Sequence, residues 1–159
     1  MPYALQSLLR IRALREERAG GELTLARQAV AVARDALDAR RCDLADFEAT
    51  KEERRDRIFD TVMGRPVSRD QIDLAREGVS RIDEEGVLKA DNVKRAEGDL
   101  RNREAEAETA KAVFVAATRN RMKIDEHRAA WLAEEAAEGE RRAEGELEDF
   151  TGRKQNLDD

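Results

Sequence analysis

The sequence predicts an all-α fold, a long antiparallel two-helix coiled-coil hairpin with unequal arms. Three observations carry that reading. Charged residues make up 42% of the 159 positions and aromatics only 4%, so the apolar residues are too few for a thick globular core and suit a narrow seam. Apolar residues recur at alternating steps of four and three over most of the chain, which is the coiled-coil period rather than the pattern of a disordered polyampholyte. Only one proline, Pro66, lies inside the chain, the other being Pro2.

The first helix is expected over about residues 3–63. Stepping from Leu5 to Ile58 visits sixteen positions, and eleven are apolar: Leu5, Leu9, Ala19, Leu23, Ala26, Val30, Ala33, Leu37, Leu44, Phe47 and Ile58. Gly20 and Gly21 should weaken this arm near its start, since each glycine costs about 1 kcal/mol relative to alanine in a helix.

The turn is expected at residues 64–67. Proline inside a helix removes a backbone donor and clashes with the preceding turn, and Gly64 is a natural left-handed terminator. Met63-Gly64-Arg65-Pro66 is therefore a stop. Ser68 and Gln71 follow with the spacing of a capping box, which starts the next helix.

The second helix is expected over about residues 68–156. Its seam runs through Ile72, Ala75, Val79, Ile82, Val93, Ala96, Leu100, Ala107, Ala110, Phe114, Ala117, Ile124 and Trp131, interrupted at Gly86, Lys89, Arg103, Arg121 and Arg128. A short connection makes neighbouring helices antiparallel. A turn centred near residue 65 sets Leu37 near Val93, Leu44 near Val87, Ile58 near Ile72 to Ala75, and Tyr3 level with Arg128 to Trp131. At 1.5 Å per residue the arms would measure about 90 and about 130 Å. Residues 132–156 then form an acidic overhang on a single hairpin that spans the chain.

Charge is unevenly placed. Residues 132–159 carry ten acids against four bases, a net of −6, while the rest is balanced at 26 of each. Residues 1–18 hold Arg10, Arg12, Arg15 and Arg18 against Glu16 and Glu17. No basic stripe with interleaved aromatics is present, which argues against nucleic acid as a partner. No apolar run approaches the roughly 20 residues of a membrane span. A single cysteine, Cys42, allows no internal disulfide and fits a reducing cytoplasm.

Chemistry-bearing motifs are missing. There is no glycine-rich phosphate loop, nucleophile elbow, C-x-x-C or H-E-x-x-H, so no catalytic, cofactor-binding or metal-binding residue is assigned. His127 is the only histidine, and a di-iron helix would need a glutamate at position 124, where Ile124 stands; it is read as an exposed or flanking side chain. Cys42 is expected to be partly buried rather than reactive. Trp131 has two readings, a plug closing the open end of the hairpin or an anchor for a partner. Leu8, Ile11, Leu14, Val32 and Leu88 are expected to be exposed apolar residues outside the seam.

The opening "LQSLLRIRALREERA" at residues 5–19, the approach "EERRDRIFD" at 52–60 and the C-terminal "WLAEEAAEGERRAEGEL" at 131–147 together resemble the YscO family of type III secretion proteins, which is related to FliJ of the flagellar export apparatus. The resemblance implies a non-enzymatic stalk that inserts into the hexameric secretion ATPase, contacts the export-gate protein and binds translocator chaperones, at the cytoplasmic side of the inner-membrane apparatus. It implies an ATPase-facing end made by Leu8, Leu9, Arg10, Arg12 and Trp131. A family-like P-x-L-R tip motif would fall on Pro66 to Arg69, where Pro66 and Arg69 match and Ser68 stands in place of the leucine. The residues themselves allow a purely structural turn there. They also allow a cytoplasmic coiled-coil holdase or tether with no ATPase partner.

Overall fold

The computed structural model describes residues 3–155, with side chains described through Glu148. Among them are two helices and no strand: α1, Gln6–Asp60, of 55 residues, and α2, Arg69–Gln155, of 87 residues. They pack against each other as an antiparallel helical hairpin with unequal arms, the all-α class that composition and period predict. α1 runs unbroken through Gly20 and Gly21. The expected end of the second helix at residue 156, with Asp158 and Asp159, lies outside the described residues.

The connection is longer than expected. α1 ends at Asp60, because the amides of Thr61 and Val62 bond to the carbonyls of Ile58 (3.2 Å) and Phe59 (3.0 Å), three residues back. This tighter winding closes a helix end instead of extending it. Gly64 then takes φ of 72°, a conformation that costs an L-residue about 1–2 kcal/mol. The capping box forms as expected: the Ser68 amide donates to Gln71 Oε1 (2.8 Å) and the Gln71 amide to Ser68 Oγ (3.3 Å). Ser68 is thus the cap, and the helix proper starts at Arg69. At the other terminus the Gln6 amide bonds to the Tyr3 carbonyl (3.1 Å), so α1 begins three residues later than expected.

The chain's contacts cluster in two units, Glu22–Ala110 and the remainder, built from the residues up to Gly21 and from Lys111 onward. In the first of these, Leu23, Leu37, Phe47 and Ile82 are buried. A methyl group on Gly86 would come within 2.8 Å of the Phe47 ring, and one on Gly78 within 3.1 Å of Ile58. These glycines are seats for large side chains, and Gly86 is part of the seam rather than an interruption of it. Arg54 lies over the Phe47 ring, 5.6 Å from its centroid, and bonds to Glu85 (2.7 Å). Interhelical ion pairs flank the seam: Asp43 to Lys89 (3.3 Å), Arg41 to Glu97 (3.0 Å) and Arg34 to Glu104 (3.1 Å).

Near the connection the pairing differs from the expected one by about a turn, whereas Tyr3 meets His127 and Trp131 close to where it was expected. Ile58 meets Gly78 rather than Ile72 to Ala75, and Val87, expected opposite Leu44, is 63% exposed. Helical side chains lean toward the N-terminus of their own helix. In an antiparallel pair both leans push the touching residues to higher numbers than those whose backbones are level.

Cys42 is exposed, contrary to expectation. It lies two residues from seam residue Leu44, and two residues in a helix turn a side chain to the other side. Ile11, Leu14, Val32 and Leu88 are exposed as expected. Leu8 is half-buried instead, being three residues from Leu5 and four from Arg12, on the edge of the seam.

Candidate partner-binding site

The unit that contains the start of α1 is closed by an aromatic cluster. His127 and Trp131 are four residues apart, so both stand on one face of α2. Tyr3, 8% exposed, fills the space against them. Its ring centroid is 5.8 Å from that of His127 and 5.4 Å from that of Trp131, with interplanar angles of 47° and 49°. Tilted pairs of this kind match the ring quadrupoles better than a face-to-face sandwich. The Tyr3 hydroxyl makes a 2.8 Å hydrogen bond with His127 Nδ1. Ile124, buried, continues the cluster one turn back along α2.

Below the cluster, polar groups tie the two helices. An Arg12 Nη1 donates to the carbonyl of Asn120. The Glu16 carboxylate accepts from Thr118 Oγ1 (3.0 Å) and from Arg121 Nη1 (2.6 Å), and Arg121 Nε faces Asp125 at 3.4 Å. Gly20 receives the Phe114 ring, 3.3 Å from where a Cβ would stand. The Arg121 hydrogen bond, with that of Thr118 behind it, holds the Glu16 carboxyl below the usual carboxylate range, and the same bond raises Arg121.

Because the native Glu16 value is depressed, its stabilising contribution is complete above the ordinary glutamate value of about 4.3. It disappears as pH falls through the native value. Glu16→Gln should therefore lie below wild type in stability at neutral pH and converge with it in acid. Urea unfolding over a pH series measures this; a constant gap at all pH values would remove the carboxylate from the account.

The residues assigned from sequence fall as follows. Leu9 and Arg12 are half-buried seam positions, Leu8 is half-buried beside them, and Arg10 is exposed. Trp131 is half-buried against Tyr3. His127 is the flanking residue expected of it. Pro66 and Arg69 are exposed, the first in the connection and the second at the first position of α2. The aromatic partner that sequence reasoning missed is Tyr3. It was placed level with Trp131, but it precedes the helix and the period, so no stripe pointed to its burial. Beyond Trp131, every described side chain of α2 from Leu132 to Glu148 is exposed.

Among the described residues no group of three or more His, Cys, Asp or Glu could hold a metal ion, and no helix is long and apolar enough to cross a membrane. No curated protein and no solved structure matches the chain. The family model described as type III secretion protein YscO matches residues 5–153. That span takes in both helices up to two residues short of the end of α2, the connection between them, and every assigned contact residue from Leu8 to Trp131. With this match over the whole hairpin, the chain belongs to the YscO family of type III secretion proteins.

Proposed function

We propose that the protein is a non-enzymatic stalk and escort component of its type III secretion system. It binds the hexameric secretion ATPase, promotes that enzyme's assembly or turnover, and links it to the export-gate protein and to translocator chaperones on the cytoplasmic side of the inner membrane. The observation that carries the reading is the end of the hairpin around Tyr3 and Trp131, from which α2 continues to Gln155 with exposed side chains as far as they are described. A helical pair that gives way to one helix can enter a ring's pore where a compact domain cannot. Leu8, Leu9, Arg10, Arg12 and Trp131 face the ATPase, and Pro66 and Arg69 serve the second contact in the connection. An asymmetric stalk in a six-fold ring touches its subunits unequally, and that difference biases their ATP sites by differential binding to their conformations.

A holdase or tether is the second reading, favoured by exposed apolar residues such as Leu25, Val32, Met63 and Leu74. Titrating the protein into its cognate secretion ATPase, with light scattering and ATP hydrolysis followed together, separates the two. The stalk predicts that both rise, saturate near one chain per hexamer and weaken when the chain is cut after Leu132. No change in either at saturation transfers the function to the holdase.

A further inference from the structure

On the side of α1 facing away from the seam, Ile11 and Leu14 are 46% and 64% exposed. With Arg15, Glu17 and Arg18 they line a shallow hollow of about 510 Å³. Arg10, Arg15 and Arg18 are exposed around it and have no ion-pair or hydrogen-bond partner among the described residues. By position, Arg18 stands in the apolar stripe between successive turns, with Arg10 and Arg15 on its two flanks. The patch therefore sets Arg18 in line with Ile11 and Leu14, Arg15 along one edge and Arg10 with Glu17 along the other, an apolar surface with a net positive charge. It fits an amphipathic helix whose apolar stripe is edged with acids.

Such a helix exists in the same unit. From Leu132 to Glu148, α2 carries seven acids and two arginines, and its described side chains are exposed. Leu132, Ala136 and Ala143 recur on one stripe, which Leu147 continues, while Glu140 and Glu144 fall along one edge and Glu146 along the other. Of the two arginines, Arg142 pairs with Glu138 of its own helix (3.0 Å) and Arg141 donates to the Ala137 carbonyl. A surface helix gains most of its stability by burying its apolar face, not from propensity.

We infer that a second copy of this chain supplies that burial. The acidic segment Leu132–Glu148 of each copy lies on the Ile11–Leu14 patch of the other, with Arg15 and Arg18 meeting Glu140 and Glu144. The arrangement is reciprocal, so one two-fold axis forms both contacts at once and the interface closes at two chains. The contact is apolar with a charged rim, so it weakens with added salt without vanishing. Ile11, Leu14, Arg15 and Arg18 are not assigned to the ATPase, but Leu132–Glu148 is the segment that the ATPase reading places in the ring. Dimer and stalk are therefore alternative states of that segment, and self-association is measured with no ATPase present.

Sedimentation equilibrium on the full-length chain, from a few µM to about 200 µM and at about 50 and 500 mM NaCl, reads the mass directly. The expected result is a concentration-dependent dimer that loosens several-fold at the higher salt. Arg15→Glu/Arg18→Glu and Glu140→Arg/Glu144→Arg should each weaken self-association at least tenfold, while a mixture of the two variants regains it, because both contacts of the mixed pair again join opposite charges. All four positions are exposed, and circular dichroism of each variant checks that helicity is unchanged. A wild-type chain that remains monomeric at the highest concentration overturns the proposal and leaves the patch to an acidic helix of another protein. A dimer indifferent to both double substitutions, or a mixture that fails to regain association, overturns it too.

Discussion

Phe47→Ala is expected to lower the stability of the hairpin by about 3–5 kcal/mol. The ring is 3% exposed, is seated in the space left by Gly86 and is covered by Arg54, which is itself held by Glu85. Truncation opens a void facing a residue that has no side chain to move into it, which favours the upper part of that range, since the cost of a cavity depends on how far its walls collapse. It also removes the surface over which Arg54 lies. At roughly 2–4 °C per kcal/mol for a chain of this size, the melting temperature should fall by about 10 °C. Urea unfolding monitored by circular dichroism measures the loss, and Phe47→Ala/Gly86→Leu, which returns volume from the other helix, should restore part of it. An unchanged midpoint for Phe47→Ala would show that the ring is not in the seam in solution.

Tyr3→Ala is the second large effect, of about 2–4 kcal/mol, and it is local. Two tilted ring contacts, each adding about 0.5–1.5 kcal/mol beyond area burial, are lost with a buried side chain and the hydrogen bond to His127. Tyr3→Phe loses only that bond and should cost about 1 kcal/mol. Hydrogen exchange resolves where the cost falls: amides around Leu8 to Glu16 and Thr118 to Trp131 should lose protection in Tyr3→Ala, while those flanking Phe47 and Gly86 keep it. Equal loss in both places would mean that the aromatic cluster and the Phe47 seat open as one cooperative unit.

Much of the fold was legible because a 3.5-residue period is a geometric statement about one face. Of the sixteen positions stepped from Leu5 to Ile58, only Arg40 is exposed. The stop at Gly64 and the Ser68 cap were legible for a similar reason, since each answers a specific need of the backbone at a helix end. Register near the connection was not. Periodicity says which face is buried but not which residues meet across it, and the lean of the side chains moved Ile58 from the Ile72–Ala75 turn to Gly78. Gly86 was misread because an absent side chain looks like a gap until the ring that fills it is seen. In the candidate site, Trp131 announced itself by rarity and position, whereas Tyr3 lies outside any helix; Arg15 and Arg18, which the proposed dimer uses, resemble ordinary solvated charge. Their pairing with a hollow at Ile11 and Leu14 exists only in three dimensions.

The aromatic cluster has an optical consequence. The chain contains one tryptophan and one tyrosine, and they touch. Its near-ultraviolet emission therefore comes from a single place, the indole of Trp131 beside the phenol of Tyr3, with no background from elsewhere in the hairpin. A ligand that covers the start of α1 or parts it from Trp131 shifts the colour or yield of that light. The native protein, without any attached dye, thus reports on the packing of Tyr3 against Trp131.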